Sequence, residues 1–149
     1  MKLYYAPGVC SLSPHIALEE SGLKHSLVKT DIRAKTTEGG VDYKTVNPLG
    51  YVPALELDDG TLLTEGPAIV QYIADKAPEK KLAPANGTPD RYRLQSWLNF
   101  VSSELHKGFS PLFNPSVPEE VKQVFRDRLA TRLAHIDQHF AKNAYLMGE

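Results

Sequence analysis

The sequence predicts an α/β domain followed by an all-α domain, and three features of the chain carry that expectation. Between Lys2 and Asp31 a short strand, a loop, a helix and a second strand succeed one another. From Asn47 to Ile69, reading NPLGYVPALELDDGTLLTEGPAI, a turn, a hairpin and a helix start are compressed into one stretch. Past the proline-rich segment from Pro78 to Pro89, apolar residues recur only at helical spacing. The expected boundaries are a first domain over 1–80, a linker over 81–87 and a helical domain over 88–149.

Taken in order, Lys2 to Tyr5 reads as a strand, and Ala6 to Leu12 as a connecting loop with Pro7-Gly8. Ser13-Pro14 supplies a capping hydroxyl and an early proline, and Gly22 a natural helix terminator, so a helix is expected between them. Leu27 to Asp31 reads as the second strand of a right-handed βαβ unit. Ala34 to Gly40 is polar, carries Lys35, and reads as a mobile loop. Asn47-Pro48-Leu49-Gly50 is turn chemistry. Ala54 to Leu57 and Thr61 to Thr64 flank Asp58-Asp59-Gly60 as an antiparallel pair. Pro53 cannot donate to a ladder, so it marks an edge or turn, with a cis Val52-Pro53 bond one possibility. Thr64-Glu65-Gly66-Pro67 then opens a helix from about Gly66, with an apolar run over Ala68 to Ile73 and an end near Ala77-Pro78, and its free N–H groups suit a carboxylate or phosphate.

In the second half, Leu94, Trp97, Leu98, Val101, Leu105 and Phe109 mark the apolar side of one long helix. Asn99, Ser103, His106 and Ser110 form a polar strip on its opposite face. Such a strip is usually the wet side, yet these short amides, hydroxyls and an imidazole suit a cleft wall. Ser116-Val117-Pro118-Glu119 reads as a capping box into a further helix. Its buried stripe is expected at Val121, Phe125, Leu129, Leu133, Ile136 and Phe140.

Composition narrows the function classes. The chain has 149 residues, 42% hydrophobic and 23% charged, as in ordinary globular proteins. Its 17 basic and 18 acidic residues leave a net charge of −1, with no basic patch for nucleic acid or an anionic membrane. No apolar run approaches the ~18–20 residues of a membrane span, and no signal-peptide pattern opens the chain, so a cytoplasmic location is expected. A single cysteine, Cys10, excludes an internal disulfide framework and any multi-cysteine zinc site. A lone cysteine is ordinarily a small buried apolar residue. Placed just ahead of a helix start, it sits where the thiolate is favoured.

The order strand, thiol, helix, strand, proline-led hairpin and helix, with a helical domain after it, resembles the glutathione S-transferases. The similarity is greatest to the bacterial cysteine-containing beta class. It covers essentially the whole chain and is most specific at Val9-Cys10-Ser11, Tyr51-Val52-Pro53-Ala54-Leu55, Leu63 to Ile69, and Leu98-Asn99-Phe100 to Leu105-His106-Lys107. The resemblance implies a thioredoxin-like first domain with a mixed four-stranded sheet. It implies glutathione as co-substrate, no metal, a homodimer, a small electrophile as second substrate, and a role in detoxification.

It also implies site roles. Val52 would pair its main chain antiparallel with the cysteinyl backbone of glutathione, with Pro53 as the family's cis-proline and Tyr51 among the glutathione-binding residues. Glu65 and Gly66 would hold the γ-glutamyl end, and Lys35 the glycyl carboxylate. Cys10 would face the glutathione sulfur, with His106 beside it. Cys10 S–H, the Ser11 hydroxyl and the helix N-terminus are alternative stabilisers of the thiolate. Asn99 and Glu104 would reach the γ-glutamyl group of the neighbouring subunit. Two other activities stay open: a glutathione-dependent thiol–disulfide oxidoreductase using Cys10, and a non-catalytic binding module on the same fold. Relative to the family pattern, the helical domain is expected to be incomplete, lacking a buried helix with a Ser/Thr-x-x-Asp cap.

Overall fold

A computed structural model describes residues 1–148. The chain divides into two compact units, Met1–Ala85 and Asn86–Glu149. In the first, β1 (Lys2–Tyr5), β2 (Ser26–Asp31), β3 (Thr36–Thr37), β4 (Ala54–Glu56) and β5 (Leu62–Thr64) form one sheet in the order β3-β2-β1-β4-β5. β1 is central, parallel to β2 through Leu3↔Leu27 and antiparallel to β4 through Leu3↔Leu55. α1 (Leu12–Ser21) and α2 (Gly66–Lys76) pack together.

Strand alternation decides what each face of the sheet holds. Leu3 and Leu55, paired across β1 and β4, pack with Leu18 of α1 and Ile69 and Ile73 of α2, and all five are fully buried. Burying each such side chain stabilises by about 1.5–3 kcal/mol. The next pair along, Tyr4 and Ala54, faces the other way and packs with Ala6, Tyr43 and Val52. That second cluster underlies the loop before β4, so the functional stretch rests on packed side chains.

The local structure departs from expectation at several points. Residues 34–40 form no mobile loop: Thr30↔Thr37 and Asp31↔Thr36 pair antiparallel, adding a fifth strand to the four expected. Lys35 takes φ 58 to make the turn between them. α1 begins at Leu12, with Ser11 in the N-cap position, so Pro14 falls at the third helical residue, where an N–H would still lack an intrahelical partner. Gly22 ends it in the left-handed region at φ 69, as expected.

The second unit contains α3 (Pro89–Phe100), a π-helical stretch over Val101–His106, α4 (Lys107–Phe109) and α5 (Glu119–Phe140). Thr88 caps α3 by accepting from the Arg91 N–H. The uninterrupted helix expected from Leu94 to Phe109 is therefore broken by wider i→i+5 turns. Ser103 Oγ donates to the Asn99 carbonyl at 2.9 Å, competing for an oxygen of the helical ladder. The π stretch rotates later side chains away from a pure α projection. Ser116 does not form the capping box; it stands two residues before Pro118, the N-cap position of α5, and its N–H is taken by Asn114 Oδ1. Of the stripe expected to be buried on α5, only Leu129 is; Val121, Leu133 and Phe140 are exposed. Trp97 joins α3 to α5, its ring centroid 4.8 Å from that of His139 and 5.9 Å from that of His135.

Candidate functional site

In the first unit the β1–α1 loop and the stretch before β4 meet at a sulfur. Cys10 is exposed, and its Sγ donates to the Val52 carbonyl at 3.3 Å. The loop that carries it is locked from below. Ser11 is fully buried, accepting from the Ala6 N–H at 3.1 Å and donating to the Ala6 carbonyl at 3.0 Å. Its single proton is thereby committed, which corrects the expectation that the Ser11 hydroxyl could serve the thiolate. Ser11 shapes the loop that presents Cys10.

The Val52-Pro53 peptide bond is cis. Val52 is buried as a side chain, yet its main-chain N–H meets no acceptor among the described residues. An unpaired N–H beside a carbonyl held only by a thiol is a short open strand edge, the kind that accepts an extended peptide. Tyr51 next to it is exposed, but its carbonyl is clamped from behind by Tyr43 Oη and Asn47 Nδ2, each at 2.8 Å. Tyr43 and Asn47 are both buried. Burial pushes the Tyr43 phenol up to about 12, with the Asn47 hydrogen bond opposing and Tyr4 adding to the shift. These two residues fix the edge and were not singled out by sequence reasoning. A buried tyrosine eight residues ahead of an expected edge, together with an asparagine in the turn before it, is the only signal the sequence offers.

Lys35 Nζ donates to the Gly50 carbonyl at 2.9 Å and stands 5.6 Å from the centroid of the Tyr51 ring. The hairpin turn at Lys35 therefore sets a cation beside one end of the Tyr51–Val52 edge. At the other side, α2 opens with Glu65 in the N-cap position at φ 65, ψ 115. Its carbonyl accepts from the Ala68 and Ile69 N–H groups, both at 3.0 Å, while the Gly66 N–H meets no acceptor among the described residues. A non-glycine residue held at positive φ costs of order 1–3 kcal/mol, and such strain gathers at functional sites. Here it exposes the Glu65 carboxylate next to a free N–H at the positive end of a helix. A Cβ added at Gly66 would lie 4.0 Å from Pro53 Cγ, so the helix start sits over the proline.

The structure thus brings together Cys10, Lys35, Tyr51, Val52, Pro53, Glu65 and Gly66 around one edge. Asn99, Glu104 and His106 belong to the second unit. Asn99 and His106 are exposed on α3 and the π stretch. Glu104 is not free: Arg128 Nη2 donates to both its oxygens, at 3.1 and 2.9 Å, and Arg132 Nε donates at 2.9 Å. The Arg128 guanidinium, seconded by Arg132, holds this carboxyl below its usual range. A cleft of about 550 Å³ also lies in the first unit, lined by Ala6, Pro7 and Val9 of the β1–α1 loop and by residues of β2 and β3. None of Tyr51, Val52, Glu65 or Gly66 lines it, so it is separate from the edge.

Comparisons with known proteins identify the family. Residues 9–76 match the model of the glutathione S-transferase N-terminal domain. The chain is 50% identical to glutathione S-transferase GstA of Escherichia coli O157:H7 over 100% of its own length and 74% of that protein's. Among solved structures it is similar to BphK, a bacterial glutathione transferase in a ternary complex, at 60% identity and TM-score 0.96, covering 100% of this chain and 74% of that one. A sphingomonad glutathione S-transferase complexed with glutathione matches at 51% identity and TM-score 0.91, over 96% and 71% of the two chains. A beta-class enzyme of Sphingomonas chungbukensis matches at 50% identity and TM-score 0.88, over 93% and 69%. Matched by the family's N-terminal-domain model over residues 9–76 and 50% identical to a transferase of which it covers 74%, the chain belongs to the glutathione S-transferases.

Proposed function

We propose that the protein transfers the thiolate of glutathione to small electrophilic compounds. The single observation that carries this is the Val52 edge, whose free N–H and thiol-bound carbonyl lie within reach of both Cys10 and the Glu65–Gly66 helix start. Glutathione would lie along Val52 as an added strand, its cysteinyl amide replacing the contact that Cys10 now makes. Its γ-glutamyl carboxylate would take the Gly66 N–H and its ammonium the Glu65 carboxylate, while Lys35 would take the glycyl carboxylate. The peptide is then held at three points with its sulfur directed at Cys10. The thiol would donate a hydrogen bond to the thiolate, which stabilises the nucleophile without consuming it. Attack forms a carbon–sulfur bond and expels the leaving group.

His106 as a second polar wall, Asn99 and Glu104 as contacts to a neighbouring subunit, a homodimeric state, a cytoplasmic location and a role in detoxification are part of the same proposal. No helix among the described residues is long and apolar enough to cross a membrane. The test is glutathione-dependent conjugation of an aryl halide: turnover well above the uncatalysed rate is expected, and a folded protein without it would count against the assignment. The exposure of Cys10 favours one alternative. Its thiolate could attack a glutathionyl mixed disulfide, taking the glutathionyl group and releasing the partner thiolate, with a second glutathione restoring the cysteine. Cys10→Ala would abolish that reaction and leave glutathione affinity nearly intact.

A further inference from the structure

Outside the glutathione site, three donor atoms converge on the surface of the first unit. His15 and Glu19 stand one turn apart on α1, and His25 is the residue before β2. The left-handed Gly22 reverses the chain and returns His25 to the helix it has just left. Glu19 Oε1 lies 3.3 Å from His25 Nε2 and 3.6 Å from His15 Nε2, and the three ligand atoms all fall within 4.8 Å of one another.

The hydrogen bond on the far side of His25 sharpens the chemistry. Its Nδ1 lies 2.9 Å from the Leu23 carbonyl, an atom that can only accept, so Nδ1 carries the proton. In the neutral ring Nε2 then presents a lone pair toward a carboxylate oxygen. Two acceptors facing each other at 3.3 Å need a cation between them, either a proton or a metal ion. A ring nitrogen that donates to a backbone carbonyl while the other turns to a shared focus is the usual arrangement of a metal-ligating histidine. For an ion about 2.0–2.1 Å from each donor, tetrahedral geometry places donors roughly 3.4 Å apart, close to the two histidine–carboxylate separations. His15 is further restrained by the Tyr5 ring, 5.7 Å away between centroids.

We propose that His15, Glu19 and His25 form a binding site for a divalent transition ion of zinc type, with water completing the coordination. Two imidazoles and one carboxylate suit zinc, nickel or copper far better than magnesium or calcium. The ion would fasten α1, from its first turn to its last, to the residue that precedes β2. It takes no part in conjugation, and it shares no residue with the Val52 edge.

The experiment uses the full chain in a Cys10→Ser background, because the thiol is a competing ligand, and is run without glutathione. Zinc chloride is titrated against a chromophoric chelator while thermal unfolding is followed in parallel. One equivalent is expected to bind and raise the unfolding temperature. His15→Ala, His25→Ala and Glu19→Gln should each weaken binding at least tenfold, whereas His135→Ala should not. Circular dichroism confirms that each variant is folded. Binding that survives unchanged in His25→Ala, or a Cys10→Ser protein that binds zinc no better than its His15→Ala/His25→Ala derivative, would overturn the proposal and leave a proton as the cation shared by these groups.

Discussion

Tyr43 shows how a residue that never touches the ligand can control the edge that does. Its hydroxyl, with the amide of Asn47, holds the Tyr51 carbonyl at 2.8 Å and so orients the Tyr51–Val52 peptide. Burial raises the phenol from 10.0 to about 12, so between those values the folded chain binds a proton that the unfolded chain has lost. The neutral phenol's contribution is therefore complete below pH 10 and disappears as pH rises to about 12, amounting to about 2–3 kcal/mol. Tyr43→Phe should cost about 1 kcal/mol near neutral pH through the lost hydrogen bond and should flatten the alkaline fall in stability. Urea midpoints from about pH 8 to about pH 11 would show it. Some alkaline slope will remain, because burial, with the bond to Glu56 next, also raises Tyr4.

Glu65 sets function against stability within a single residue. Glu65→Gly relieves the strained backbone at φ 65, so stability should hold or rise by about 1 kcal/mol while glutathione binding falls at least tenfold. Glu65→Gln keeps the strain and loses only the charge, so its loss of binding isolates the ammonium contact; calorimetric titration of both variants separates the terms. The placement of Cys10 ahead of α1, the cis bond before Pro53 and the helix start at Gly66 were legible in the sequence because turn and helix-start chemistry is local. The Tyr43 and Asn47 clamp was not, since its acceptor is a backbone carbonyl that no side-chain pattern records. Ser11 misled for a related reason: nothing in the sequence says that the Ala6 peptide would take its only proton.

At the scale of elements, long periodic segments were legible and short or aperiodic ones were not. β1, α1, β2, the hairpin and α2 all appear within a residue or so of their expected limits. β3 has only two residues, too few for an alternation to register. The π stretch was invisible because apolar spacing does not distinguish i→i+4 from i→i+5 bonding over six residues. α5 was overcounted as buried: an apolar stripe states which side prefers cover, and here only Leu129 has it. That residue meets α4 at Gly108, where an added Cβ would come within 2.9 Å of Leu129 Cδ2. Gly108→Ala should therefore destabilise the helical unit by about 1–3 kcal/mol through overpacking. Combined with Leu129→Ala, which removes the obstructing methyl groups, it should cost less than the sum of the two single changes. Denaturation followed by the fluorescence of Trp97, the one tryptophan of the chain, would measure that coupling.

For the molecule as a whole, the question is whether both units answer to one ligand. The first unit holds the backbone edge, the thiol and the helix start, while Asn99 and His106 stand exposed on the second. A ligand that binds only the folded state at about 100 times its Kd stabilises that state by about 2.7 kcal/mol, and the gain is spread over whatever structure must be closed for binding. Hydrogen exchange resolves where it falls. Saturating glutathione should slow exchange at the N–H of Val52 and of Gly66, since each lacks an acceptor among the described residues and would gain one. If Asn99 and His106 complete the site, residues 99–106 should slow as well, and their wide helical turns make that change easy to detect. Protection restricted to the first unit would remove Asn99 and His106 from the glutathione site while leaving the Val52 edge in place. Protection in both, lost from residues 99–106 on dilution but retained at Val52, would place the second set of contacts in a neighbouring subunit.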